Sequence, residues 1–218
     1  MSLSESIHAV VGTTFADELR ERSDEELTRL FKLRPDLITP IPVDLASLAT
    51  RATSAPSLIR AIETLNRWQL NLLEACALFD GLFSPAEIAE LTDAAAKNSL
   101  VELWEIGLIY RDGKKYRLPR AVRDILGENI AGLGPSVAKP IDFKALGEAP
   151  KSAIDLLEKL TWGPPKGQVE DIHKKGTPIE WLLQRHFLIP VDSKTVLLPR
   201  EVALHLRAGK LFRDLLIY

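Results

Sequence analysis

The strongest constraint on the fold is a segment that occurs twice in the chain. Residues 107–126 read GLIYRDGKKYRLPRAVRDIL, and residues 187–206 read FLIPVDSKTVLLPREVALHL. Aligned without a gap, the copies share the pairs Leu108/Leu188, Ile109/Ile189, Asp112/Asp192, Lys114/Lys194, Leu118/Leu198, Pro119/Pro199, Arg120/Arg200, Val122/Val202 and Leu126/Leu206. Each copy predicts a β-hairpin around a short turn, followed by Leu-Pro-Arg and a helix. Because the pattern recurs in the same order, we expect two similarly folded units.

The residues before the first copy predict three helices. Residues 66–79 place apolar side chains on one helical face. Ser84 and Glu87 have the spacing of a capping box, and the proline between them suits the first helical position. A third helix follows a short turn and ends at Gly107. Three helices followed by a hairpin are the order of a winged helix-turn-helix, in which the third helix is the recognition element and the hairpin is the wing.

The same reasoning divides the whole chain. We expect a mainly α protein with small β-hairpin wings, built from tandem winged helix-turn-helix units that follow an N-terminal helical cap. The cap of short helices occupies residues 1–65, the first winged helix residues 66–127, and a linker rich in Gly, Pro and Ala residues 128–149. A more compact winged-helix-like unit occupies residues 150–218 and ends in an apolar C-terminal helix from Lys210.

Composition and charge limit the class of protein. The net charge is −2, so any contact with nucleic acid must be a local patch. No apolar run approaches the ~20 residues that cross a bilayer, and no secretion signal is visible, which argues against a membrane partner. Cys76 is the single cysteine, which excludes an internal disulfide. Together these features predict a cytoplasmic location.

No group of residues indicates catalysis or a cofactor. The histidines His8, His173, His186 and His205 lack the spacing of metal ligands. No nucleophile motif and no pair of catalytic carboxylates stands out, and most tryptophans fall in apolar stripes typical of a core. We therefore predict that the chain is not an enzyme and that it binds no metal, cofactor or small-molecule substrate.

The cations of the first wing are the candidate contacts with nucleic acid. They are Arg111, Lys114, Lys115, Arg117, Arg120 and Arg123. On a hairpin that lies along a phosphate backbone, each neutralised phosphate releases counterions, so binding weakens with salt. Lys97 and Asn98, at the start of the third helix, are candidates for contact with base edges. The alternative is a solvated hairpin and an exposed helix start that contact nothing.

The second wing has lost most of this charge. Its only cation is Lys194. The apolar residues Val191, Val196 and Leu197 stand at the positions of Arg111, Tyr116 and Arg117. This difference predicts that the first copy contacts nucleic acid, whereas the second packs against protein.

Several segments together resemble a known family. They read FADELR, RPDL, LNRWQLNLLEA, AGLGPS, LTWGPPKG and, most specifically, WLLQRHFLIPVDSKTVLLPREVALHLR. Over most of residues 14–210 the chain resembles the N-terminal region of an actinobacterial helicase-associated family, which is similar to the N-terminal domain of XPB-type DNA helicases. The resemblance implies a DNA-associated role within a longer protein. A helicase motor is not implied, because the GxxxxGK[ST] phosphate loop is absent from the sequence.

These observations predict a non-catalytic module that binds or positions DNA within a larger helicase-associated protein. The expected partner is duplex or single-stranded DNA, beside other proteins or the remainder of a longer chain. One alternative is a protein-interaction scaffold built from winged helices, which the net negative charge favours. Another is a dimeric transcriptional regulator.

Overall fold

The computed structural model describes residues 13–137 and 139–215, and the chain is mainly helical with small antiparallel sheets. Residues 1–12 of the predicted cap and residues 216–218 of the predicted C-terminal helix lie outside the described residues.

The N-terminal helices begin where their capping residues predict. They are α1 (Phe15–Glu21), α2 (Asp24–Leu33), α3 (Leu45–Ala52) and α4 (Ala55–Glu63), with a 3₁₀ helix at Pro35–Ile38 after α2. Thr14, Ser23 and Asp44 each accept a hydrogen bond from the backbone N–H three residues later. Such bonds satisfy N–H groups that have no partner inside the helix. The side chains of Ser23 and Asp44 thus cap the starts of α2 and α3.

The first repeat copy lies within a segment of helices and one small sheet. The elements are α5 (Arg67–Cys76), β1 (Leu82–Phe83), α6 (Pro85–Leu91), α7 (Ala96–Glu105), β2 (Tyr110–Asp112), β3 (Lys115–Arg117) and α8 (Arg120–Leu126). The sheet is antiparallel with the order β1-β3-β2, so that Arg117 pairs with Leu82 on one side and Tyr110 on the other. The predicted capping box between Ser84 and Glu87 is present.

The second repeat copy lies within a similar but shorter segment. The elements are α9 (Lys151–Thr161), β4 (Lys166–Gln168), α10 (Pro178–Gln184), β5 (Ile189–Asp192), β6 (Thr195–Leu197) and α11 (Arg200–Leu206). Its sheet has the order β4-β6-β5, the same as that of the first. Residues 169–176 are described throughout and form turns where the first segment has α6. Thr177, which stands before a proline, accepts a hydrogen bond from the backbone N–H of Glu180 and caps α10.

One apolar core joins the two segments. It extends from Leu58 in α4 through Trp68 and Leu72 in α5 to Val202 and Leu211. A smaller core lies within the N-terminal helices and includes Tyr110 of β2. The N-terminal helices therefore pack directly against the first sheet.

Residues 128–149, predicted as a linker, carry local structure of their own. Two 3₁₀ helices occur, at Ile130–Gly132 and Phe143–Glu148. Ile130 and Leu133 are buried in the joint core. Gly134 lies directly against the backbone of Leu198, where a methyl group would not fit.

Two features differ from the sequence prediction. The predicted apolar helix from Lys210 is wrong for the described residues, since residues 210–215 are not helical. The chain leaves α11 through Ala208 and Gly209, which both have positive φ, and Leu211 then turns into the core. The edge strands β1 and β4 were not predicted, because each is only two or three residues long and lacks a clear alternating pattern.

Candidate nucleic-acid interface

The tip of the first hairpin (β2–β3, Tyr110–Arg117) is built to project two lysines. Gly113 has φ of +64°, which suits the tight turn between the strands, and nothing lies within 4 Å of the position of a side chain there. Lys114 and Lys115 follow it, and both are exposed. Lys115 also lowers the pKa of Glu87 slightly through its charge, after the larger effects of hydrogen bonds from Ser84. Two of the predicted contact residues thus stand at an accessible tip.

Arg111 lies instead against an aromatic ring. Its guanidinium carbon is 3.5 Å from the centre of the Trp104 ring, and its Nη1 is 3.8 Å from a carboxylate oxygen of Glu26. On Trp104 a second guanidinium, from Arg22, lies 4.5 Å from the ring centre. Stacked cations of this kind stabilise the fold. Charge counting along the sequence could not reveal this partner, because Trp104 belongs to the preceding helix.

Arg117 and Arg123 are also engaged inside the protein. Arg117 donates a hydrogen bond of 3.4 Å to Asp112, its neighbour across the hairpin. Arg123 donates to the backbone carbonyls of Ala77 and Phe79, just after α5, and lies 3.6 Å from Asp80. Arg117 thus links the two strands of the hairpin and Arg123 links α8 to the residues after α5, and the positive charge of both is partly compensated.

The remaining predicted contacts are exposed side chains on α7 and α8. Lys97 and Asn98 lie in the first turn of α7, and Arg120 is the first residue of α8. The accessible cationic set is therefore Lys97, Lys114, Lys115 and Arg120.

The second half of α7 contacts neighbouring helices through two of its carboxylates. Glu102 accepts a hydrogen bond of 2.8 Å from Gln69 of α5, and Glu105 pairs with Arg29 of α2. The N-terminal turn of α7 is thus open, whereas α5 and α2 flank its second half.

Buried polar contacts fix the N-terminal helices to α7 and the first hairpin. Glu18 accepts hydrogen bonds from Arg22 and from the indole N–H of Trp104. Arg34, almost fully buried, donates to the carbonyls of Ile106 and Ala52. Burial lowers the pKa of the Arg34 guanidinium. These buried contacts attach the N-terminal helices to α7 and to the residue that follows it.

The second hairpin (β5–β6, Ile189–Leu197) presents an apolar surface. Val191, at the position of Arg111, is 52% exposed. Next to β5 lies a groove of about 720 Å³, lined mostly by apolar residues that include Leu183, Leu188 and Pro190. Lys194 at the tip is exposed. The predicted loss of charge in the second wing is thus accompanied by an accessible apolar patch.

The described residues contain no group of three or more His, Cys, Asp and Glu side chains that could hold a metal ion. Over the same residues no helix is long and apolar enough to span a bilayer. Cys76 is buried, and burial raises the pKa of its thiol. A thiol of this kind is unreactive at neutral pH.

Three comparisons with known proteins were made, and no family model, curated protein or solved structure matches the chain.

Proposed function

We propose that the chain is a non-catalytic DNA-binding module with two winged-helix-like units, in which the tip of the first hairpin contacts the phosphate backbone. The observation that carries this proposal is the pair of exposed lysines, Lys114 and Lys115, at the tip of a hairpin in which Arg111 stacks on Trp104 and Arg117 pairs with Asp112. The strand orders β1-β3-β2 and β4-β6-β5, each preceded and followed by helices, support the winged-helix interpretation.

The geometry favours contact with the backbone over recognition of sequence. The α2 helix flanks the second half of α7, and Glu102 and Glu105 would repel phosphates there. In the first turn of α7, Lys97 and Asn98 are exposed and carry no negative charge, so this turn is the part of the helix that suits an approach to a groove. Contacts with phosphate fix position but carry no sequence information. The module would therefore position DNA with little sequence preference, which speaks against a regulator that recognises an operator.

The test is the binding of a labelled duplex measured by fluorescence anisotropy over a series of salt concentrations. The double variant Lys114→Glu/Lys115→Glu reverses the charge of the tip, and the control Lys166→Glu/Lys194→Glu makes the same change at exposed positions of the second sheet. We expect the first variant alone to lose most of the affinity and to reduce the slope of log Kd against log salt by about two. Arg117 is left unchanged, because its replacement by Glu would repel Asp112 and disturb the hairpin.

Two results would contradict the proposal. One is the absence of duplex binding by the wild-type chain even at low salt. The other is an equal loss of affinity in both variants, which would show a response to net charge alone. The association with a larger helicase-related protein is part of the proposal and depends only on the resemblance of the sequence.

A protein-interaction scaffold is the second candidate. The observation in its favour is the apolar groove beside β5 together with the exposed Val191. If the first hairpin binds no DNA, this surface becomes the main functional feature of the chain. The two functions are compatible within one module, since they use different hairpins.

A further inference from the structure

A cavity of about 500 Å³ lies where the two repeat-containing segments meet. Its walls are α5, the 3₁₀ helix at Ile130–Gly132, the loop at residues 162–165 and the residues that follow α11. The volume is within the range of about 300–1,000 Å³ that holds small ligands in proteins. None of the residues predicted to bind nucleic acid lines this cavity.

Trp162 gives the cavity an aromatic wall. It is 37% exposed, which makes it the most exposed of the four tryptophans, all of which the structure describes. Sequence analysis predicted core packing for most tryptophans, and Trp68 and Trp104 are indeed buried. An open indole surface beside a cavity has no such explanation. It offers a flat platform on which a planar ring can stack.

Arg207 lies against the Trp162 ring and is held rigidly. Its guanidinium carbon is 4.7 Å from the ring centre. It donates hydrogen bonds to the backbone carbonyls of Thr161, Ala131, Gly132 and Leu211. No described carboxylate lies within 4.0 Å of it. The cavity wall therefore carries a buried positive charge without a paired anion.

The rim of the cavity adds further positive charge. Arg67, at the start of α5, and Arg213, after α11, both line the cavity and are exposed. The acidic residues on the lining are Glu74 and Asp214. Burial raises the pKa of Glu74. The cavity thus has an aromatic side chain, Trp162, beside exposed cations. Sites that bind single-stranded nucleic acid combine these two features.

We propose that this cavity binds an unpaired nucleotide, with its base stacked on Trp162 and its phosphate at Arg67 and Arg213. The inference rests on the proposed nucleic-acid function and extends it, because the hairpin tip grips duplex backbone whereas the cavity accepts a base that has left the duplex. Stacking on an aromatic side chain tolerates any base, so the site needs no sequence preference.

The experiment compares a labelled oligothymidylate with a labelled duplex of equal length, using fluorescence anisotropy and the full chain. We expect Trp162→Ala to weaken oligothymidylate binding about tenfold, the middle of the range for loss of one stacked base. Trp162→Phe, which keeps a ring, should recover most of the affinity. Duplex binding at the hairpin should be unchanged in both variants. Thermal unfolding of each variant shows whether it is folded.

A second pair of variants keeps the proposal testable if Trp162→Ala fails to fold. Arg67→Glu changes an exposed residue of the rim, and Arg60→Glu is the matched control on the exposed side of α4. We expect only Arg67→Glu to weaken oligothymidylate binding, and we expect oligothymidylate to quench the tryptophan fluorescence of the wild-type chain.

The failure of this proposal is distinguishable from failure of the first. Duplex binding through Lys114 and Lys115, with oligothymidylate binding that is absent or indifferent to Trp162 and Arg67, would overturn the cavity proposal alone. Oligothymidylate binding that depends on Trp162, without any duplex binding, would support the cavity and overturn the role of the hairpin.

Discussion

The two hairpins have the same framework and different surroundings. Both lie in three-stranded sheets of the same strand order, and both are followed by Leu-Pro-Arg and a helix. In the first, Arg111 stacks on Trp104 and the N-terminal helices pack behind the strands. In the second hairpin, Val191 stands at the position of Arg111, and Gln184 stands at the position of Trp104. Val191 is exposed. The shared apolar residues stabilise the framework of both hairpins. The residues at the aligned surface positions differ, because each hairpin has different neighbours.

The largest effect is expected from Gly134, which packs against the Leu-Pro-Arg junction of the second hairpin. A methyl group at this position would overlap the carbonyl oxygen of Leu198 and lie 3.2 Å from its carbonyl carbon. Because both are backbone atoms of a packed strand end, they cannot move aside as a flexible side chain can. We expect Gly134→Ala to lower the free energy of unfolding by about 3 kcal/mol, the upper part of the range for overpacking.

Chemical denaturation measures this effect, with Gly147→Ala as the control. Nothing lies within 4 Å of the added methyl group at Gly147, so we expect a change within about 0.5 kcal/mol. Equal stabilities of the two variants would show that the segment before the second sheet is not packed against the junction.

A smaller effect is expected from exchange of the aligned residues Arg111 and Val191. Arg111→Val removes the cation from the Trp104 ring, and we expect a loss of about 1 kcal/mol, as for a partly exposed cation–π pair. Val191→Arg adds a cation where Gln184 offers no ring, so we expect a change within about 0.5 kcal/mol. Denaturation with urea measures both. Equal losses in the two variants would contradict the structural role of Arg111.

The sequence predicted local structure better than the partners of charged residues. Helix caps such as Ser84 and Thr177 depend on residues three positions apart, so they are visible in the sequence. The strand β1 is not visible, because its two residues pair with β3 more than thirty positions later. Arg123 was predicted to contact DNA but donates to the carbonyls of Ala77 and Phe79, and no local pattern indicates such distant acceptors. The number of cations in the sequence of the first wing is therefore larger than the number that are exposed in the structure.

The two helices that begin with a capping hydroxyl followed by a proline, α6 and α10, differ in how their caps depend on pH. Ser84-Pro85 and Thr177-Pro178 each begin a helix, with Glu87 and Glu180 three residues after the cap. Glu87 accepts hydrogen bonds from both the hydroxyl and the backbone N–H of Ser84, at 2.7 Å each. The carboxylate of Glu180 accepts instead from the backbone N–H of Gly176. Only the first helix therefore has a reciprocal cap.

The bonds from Ser84, with that of its hydroxyl the stronger influence, lower the pKa of Glu87 below its ordinary value of 4.5. A lowered pKa in the folded state means that the ionised carboxylate stabilises the fold above pH 4.5 and that this contribution is lost as the pH falls through the folded pKa. We expect Glu87→Gln, which keeps an acceptor but removes the charge, to lower the Tm slightly at pH about 7 and to match the wild type at pH about 2. Thermal unfolding at both values measures this. A Tm difference that is the same at the two values would show that the charge of Glu87 contributes nothing to the stability.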